Sequence, residues 1–136
     1  MAYYLAKTEP GDYSIDDLAR EGATVWDGVT SAQAVNVIKT MRLGDVVLIY
    51  HSGGESAVVG VAEVISEPRP DPHEPKSWVV DVHYRGKLER PVTLRQVKAS
   101  GRFADFTLVR QGRLSTMATP DDFVAWLREE HGAAIP

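Results

Sequence analysis

The side chains of this sequence with the most chemistry to offer are four histidines, a serine beside one of them and three tryptophans, and spacing decides among them. His51, His73, His83 and His131 show neither the H-x3-H nor the H-E-x-x-H separation that brings two imidazoles to one ion, and there is no cysteine to supply a thiolate. No metal or other cofactor is expected, and no Cys nucleophile or redox pair. His51 and Ser52 are adjacent at a predicted strand end, where neighbouring side chains point to opposite faces, so they make no direct nucleophile–base pair; a G-x-S-x-G elbow is also missing. Gly53-Gly54-Glu55 lies between two predicted strands and reads as a hairpin turn rather than a phosphate loop. What remains is recognition by flat rings. Trp26, in Val25-Trp26-Asp27-Gly28-Val29, and Trp78, after a proline-rich stretch, stand at the edges of predicted elements. Two indoles clamp a base or a cation, with stacking worth about 1–3 kcal/mol per base. The same positions also suit ordinary core residues with satisfied N–H groups.

Positioning those residues calls for a strand-rich fold. Tyr3 to Lys7, Asp45 to Tyr50 after the Gly44-Asp45 turn, and Ala57 to Val64 have strand composition. Trp78, Val80, Val82 and Tyr84 alternate with Val79, Asp81, His83 and Arg85, the period of a strand with one face on the core. Arg85-Gly86-Lys87 then predicts a turn into Leu88 to Thr93, and Thr107 to Arg110 predicts a last strand. Ser14 with Asp17 caps a short helix through Ala19 or Arg20, Ser31 caps a second with Ala34, Val37, Ile38 and Met41 on one face, and Thr93 caps a third from Leu94 to Lys98. Thr119 as N-cap, Pro120 at the first helical position and Asp121-Asp122 in the first turn predict a fourth, running to about His131 before Gly132. Pro68 to Ser77, with four prolines, predicts a surface loop. Five to six strands with non-local pairing, and short helices in place of regular βαβ crossovers, predict an α+β fold around a curled, barrel-like sheet.

With 136 residues, 43% apolar and 25% charged, the composition is that of one globular domain spanning 1–136. No stretch approaches the roughly 18 apolar residues of a spanning helix, so no membrane partner is expected. The absence of a basic-then-apolar leader predicts the cytoplasm, with association to a nucleoid, or the nucleus in a eukaryote. The net charge of −4 argues against tight, sequence-blind binding to a polyanion. It is uneven: Arg85 to Arg113 carries +6, which leaves −10 for the rest, so a basic face on an acidic body is expected if that segment folds to one side.

The order of short motifs is more specific than any one of them. It runs from Tyr4-Leu5-Ala6-Lys7-Thr8-Glu9-Pro10-Gly11-Asp12-Tyr13-Ser14 through Val25-Trp26-Asp27-Gly28-Val29, Met41-Arg42-Leu43-Gly44-Asp45, Tyr50-His51-Ser52 and Val59-Gly60-Val61-Ala62-Glu63-Val64. It continues through Trp78-Val79-Val80-Asp81-Val82 and Arg90-Pro91-Val92-Thr93-Leu94 to Leu108-Val109-Arg110-Gln111-Gly112-Arg113-Leu114-Ser115. In this order the chain resembles the EVE domain, a PUA-like domain of the thymocyte nuclear protein family related to the YTH readers of methylated adenine in RNA. The resemblance implies a mixed pseudo-barrel with surrounding helices. It also implies a pocket for a modified base, such as methylated or hydroxymethylated cytosine, in DNA or RNA or as the free nucleoside, with binding rather than turnover. By resemblance to the YTH cage, Trp26 and Trp78 would flank the base, and Lys7-Thr8-Glu9 would help line the pocket. A flipped base also needs hydrogen bonds on its edge, for which Asp27, Ser14, Ser52 and the backbone around Gly28-Val29 are the candidates. Lys7, Arg85, Lys87, Arg110 and Arg113 are candidates for phosphates. His51 is either a third wall or a satisfied strand-end histidine.

Two departures bear on affinity. Where the family shows Arg-Asn pairs, this chain has Thr30-Ser31 and Val35-Asn36, which removes two helix cations and predicts weaker backbone contacts. Two other functions are carried forward. Related ASCH-type barrels include an amidohydrolase that deacetylates cytidine with a lysine, a threonine and a glutamate, the residue types of Lys7-Thr8-Glu9; consecutive strand residues, however, cannot all face one pocket. The third is a protein-interaction module using the acidic face.

Overall fold

The computed structural model describes residues 1–136 as seven strands and five short helices. In chain order they are β1 (Tyr3–Thr8), α1 (Ile15–Glu21), β2 (Ala23–Trp26), α2 (Ala32–Lys39), β3 (Val46–His51), β4 (Ala57–Val64), β5 (Arg69–Pro70), β6 (Trp78–Thr93), α3 (Leu94–Ala99), α4 (Thr107–Arg110), β7 (Thr116–Ala118) and α5 (Asp121–His131). One open mixed sheet runs β2-β6-β4-β3-β1-β7, with β5 added to β6. The β1–β3 pair is parallel and its crossover contains α1, β2 and α2; the other pairs are antiparallel. Val46 to Tyr50 is buried throughout, as expected of a central strand covered on both faces. No helix is long and apolar enough to cross a membrane.

The predicted caps hold where a side chain can reach the first turn. Ser14 and Asp17 form a reciprocal capping box on α1, Thr93 and Gln96 one on α3, and Ser31 accepts from the Ala34 amide at 3.3 Å on α2. On α2 the buried face is Ala34, Val35 and Ile38, continued by Met41, while Val37 is only half-buried. The α5 cap falls one residue later than expected. Pro120 takes the N-cap position without a side-chain bond, and the buried Thr119 hydroxyl has no partner.

Three strand expectations are corrected. Arg85-Gly86-Lys87 makes no hairpin: β6 runs unbroken for 16 residues, and the chain bends there instead. Val61 and Ala62 of β4 face Gly86 and Tyr84, so Arg85 is an extra residue on β6, a bulge that turns the strand without ending it. Thr107 to Arg110 is the helix α4, not a strand. Its β-branched composition yields to packing: Leu108 is buried, and Phe106, the N-cap residue, enters an aromatic cluster with Phe103, Phe123 and Trp126 through a turn just before the helix. The C-terminal strand is β7, which pairs with β1. The proline-rich loop contains the two-residue β5, and β2, β5 and β7 raise the count from the expected five to six strands to seven.

Candidate nucleic-acid interface

Where β1 ends beside β2, the chain builds a cleft of about 510 Å³. Its aromatic corner depends on a short turn. The amides of Asp12 and Tyr13 both donate to the Glu9 carbonyl, at 3.0 and 2.9 Å, and the Thr8 hydroxyl donates to the Tyr13 carbonyl at 2.7 Å. Tyr13 is thereby held against Trp26, with ring centroids 6.2 Å apart and planes at 82°. The Tyr13 hydroxyl donates to Glu21 at 2.7 Å, and its pKa is pushed up to about 12 by burial first and then by that bond. It stays a neutral donor at any physiological pH. Trp26 is buried within the core yet presents part of its ring to the cleft. Gly28, at φ 80°, turns the chain out of β2 so that Val29 is buried at the cleft's end.

The polar lining is of mixed sign. Lys7 is half-buried, donates from Nζ to the Gly112 carbonyl at 2.9 Å and lies 5.5 Å from the Tyr50 ring centroid; burial holds its pKa below the ordinary lysine value. Asp12 and Asp27, both exposed, line the same cleft with no ion-pair partner, and Ser115 and Thr24 add hydroxyls. A second groove of about 560 Å³, between the β3–β4 turn and the start of α3, has no aromatic wall.

Of the residues singled out in the sequence, Lys7, Trp26, Asp27 and Val29 meet in this cleft. Trp78, Ser14, His51 and Ser52 do not line it. Trp78 is half-buried on β6 with the Lys39 ammonium 5.0 Å from its ring centroid. The Ser14 hydroxyl is occupied in the α1 capping box. Ser52 donates its amide to the Thr8 carbonyl at 2.9 Å. Arg85 and Lys87 are taken up by Glu63 and Asp16, while Arg110 and Arg113 are exposed and carry no ion pair. Thr8 lines the cleft with Lys7, as the resemblance implied, whereas Glu9 does not; the lining residues missed in the sequence are Asp12, Tyr13, Thr24, Val25 and Ser115, and although the tyrosine stood within the first quoted motif, nothing local revealed that a turn would fold it onto Trp26.

His51 has a structural role instead. Its Nε2 accepts the Ile15 amide, at the first position of α1, at 3.0 Å, which requires a neutral ring. Burial is the main cause that lowers its pKa below 6.5, opposed by Asp16 and assisted by Lys87. The folded state therefore binds fewer protons than the unfolded chain between the lowered value and 6.5. The resulting stability is complete above that upper limit and is lost as pH falls through the folded pKa. His51→Gln, which cannot titrate, is expected to flatten this slope; urea midpoints at neutral and mildly acidic pH measure it.

A model of the EVE domain matches residues 2–130. The chain belongs to the EVE domain family. Thymocyte nuclear protein 1 of Rattus norvegicus is 29% identical over 166 residues, covering 93% of this chain and 74% of that protein. Among solved structures, a protein of Agrobacterium tumefaciens superposes with a TM-score of 0.93 at 30% identity, covering 100% of this chain and 97% of its own. Human THYN1, solved in complex with DNA containing 5-methylcytosine, superposes with a TM-score of 0.84 at 26% identity, covering 95% and 98%. The open mixed sheet with its short helices is thus the PUA-like fold of an EVE domain. In this EVE domain Thr30 is exposed just beyond the cleft and Val35 is buried in α2, so neither supplies a cation.

Proposed function

We propose that this EVE domain, as one unit over 1–136, is a non-catalytic reader that seats a modified base of DNA in the cleft lined by Trp26 and Tyr13. The observation that carries the reading is the right-angled aromatic corner in a cleft of about 510 Å³, a size within the range of small-ligand sites. A base stacked on one ring meets the other edge-on, and Lys7, Asp27 and the backbone at Gly28-Val29 face its polar edge. The complex of human THYN1 with 5-methylcytosine-containing DNA supports carrying this ligand class to the present chain. Arg113 lies next in the chain to Gly112, which holds Lys7, and two residues before Ser115 of the lining; like Arg110 it is exposed, carries no ion pair and is a candidate for phosphate.

Titrating DNA and RNA oligonucleotides that carry 5-methylcytosine, 5-hydroxymethylcytosine or N6-methyladenine against unmodified strands tests the reading. Preferential binding of a modified DNA supports it; equal affinity for all, or no binding at low salt, overturns it. With Lys7, Arg110 and Arg113 as the phosphate contacts, log K should fall with log salt at a slope of about −2 to −3. Arg113→Ala is expected to reduce that slope by about 1 while leaving the preference for the modified strand unchanged.

Hydrolysis of an acylated cytidine is the weaker alternative. Lys7 and Thr8 line the cleft and Glu9 does not, so the three residue types are not assembled at one site. Release of cytidine from N4-acetylcytidine would revive it.

A further inference from the structure

Asp12 and Asp27 stand in the cleft as carboxylates without partners. In a site that takes a polyanion, such a group repels phosphate unless the ligand brings it a hydrogen-bond donor. Asp27 directly follows the stacking Trp26. Beside it, the amides of Asp27, Gly28 and Val29 donate to no group of the chain, although Val29 is only 6% exposed. Asp27 and Gly28 are exposed, so these amides are free to donate to a ligand's acceptors as they would to water. Lys7 spends one of its three donors on Gly112 and keeps two. The wall therefore offers several donors next to one strong acceptor. Cytosine presents the complement, acceptors at O2 and N3 beside the N4 amine. Thymine carries the same 5-methyl as 5-methylcytosine but sets a carbonyl, O4, where cytosine has the amine.

Building on the proposal that the cleft seats a base, we infer that Asp27 is a specificity-determining residue: its carboxylate accepts the exocyclic amine of a cytosine-type base, while main-chain amides and Lys7 meet N3 and O2. A thymine in the same seat would set O4 against the carboxylate, acceptor to acceptor, and leave both without a donor.

The test compares single-stranded DNA oligonucleotides identical except for one position holding 5-methylcytosine, thymine or unmodified cytosine. The wild-type protein is expected to bind the 5-methylcytosine strand at least about tenfold more tightly than the thymine strand. In Asp27→Ala the ratio should fall to within about twofold. Asp12→Ala should raise affinity for both strands alike and keep the ratio, because removing a negative charge acts on the shared phosphates. Asp27 is exposed and unpaired, and thermal melts of each variant check that its fold is retained. Equal wild-type binding of 5-methylcytosine and thymine, both tighter than cytosine, overturns this inference and leaves the base-reading proposal standing. A wild-type preference that survives in Asp27→Ala overturns the role of Asp27 alone. Failure to distinguish any of the three strands overturns the inference together with the reading on which it rests.

Discussion

Trp26→Ala is expected to lower stability by about 3–5 kcal/mol and to abolish binding of a modified base at the same time. The indole is 9% exposed and belongs to the main hydrophobic cluster, so its removal leaves a cavity as well as a missing wall. It also ends β2, a four-residue edge strand whose register on β6 pairs Trp26 with Val80. An edge strand this short has little else to hold it, and a domain with a total stability of about 5–15 kcal/mol has little margin for such a loss. Loss of binding in this variant therefore cannot by itself separate a site from a core. Trp26→Phe separates them: it keeps an aromatic ring and most of the packing, so it should fold with a smaller loss and bind several-fold more weakly. Urea denaturation and titration on the same samples measure both quantities.

Gly60→Ala is the second large effect, and it acts away from the cleft. A Cβ at this position would lie 2.3 Å from Ile15 Cδ1, 2.6 Å from Ile15 Cγ1 and 3.0 Å from the Gly86 carbonyl. Ile15 is 2% exposed, packed in the core, and the Gly86 carbonyl is part of the sheet. Relief must come from moving α1 off β4, at a cost of about 1–3 kcal/mol or more. Ile15 is the first residue of α1 and its amide is the donor to His51, so this shift also strains the segment that carries Tyr13. The double variant Gly60→Ala with Ile15→Ala should lose less than the sum of the two single changes, because the truncated side chain vacates the space the new methyl needs. Additive losses in denaturant midpoints would show that the contact is not what limits the site.

Much of this was legible in the sequence wherever the determinant was local. Capping residues placed α1, α2 and α3, and alternating or continuous apolar runs placed β1, β3, β4 and the first half of β6. The failures share a different cause. The bulge at Arg85 and the helix at Thr107 are set by what the segment packs against: a β4 partner in one case, a phenylalanine cluster in the other. The cleft divides in the same way. Lys7, Trp26, Asp27 and Val29 lie in contiguous motifs and were readable, whereas Tyr13 becomes a wall only because the 9–13 turn folds it onto a strand ten residues further on. Trp78 illustrates the converse. Its residue type is right for a cage, yet Lys39 from the end of α2 lies over its ring and the cleft is lined without it.

The central claim, that the corner of Trp26 and Tyr13 seats the modified base, is tested most directly by the NMR resonances of the free amides and indoles during titration. With a DNA oligonucleotide carrying one 5-methylcytosine, the Trp26 indole N–H and the backbone amides of Gly28 and Val29 should shift saturably, more strongly than with the unmodified strand, while the indoles of Trp78 and Trp126 stay in place. Shifts centred on Trp78 or on the groove between the β3–β4 turn and α3, or shifts of equal size with both strands, would contradict the account.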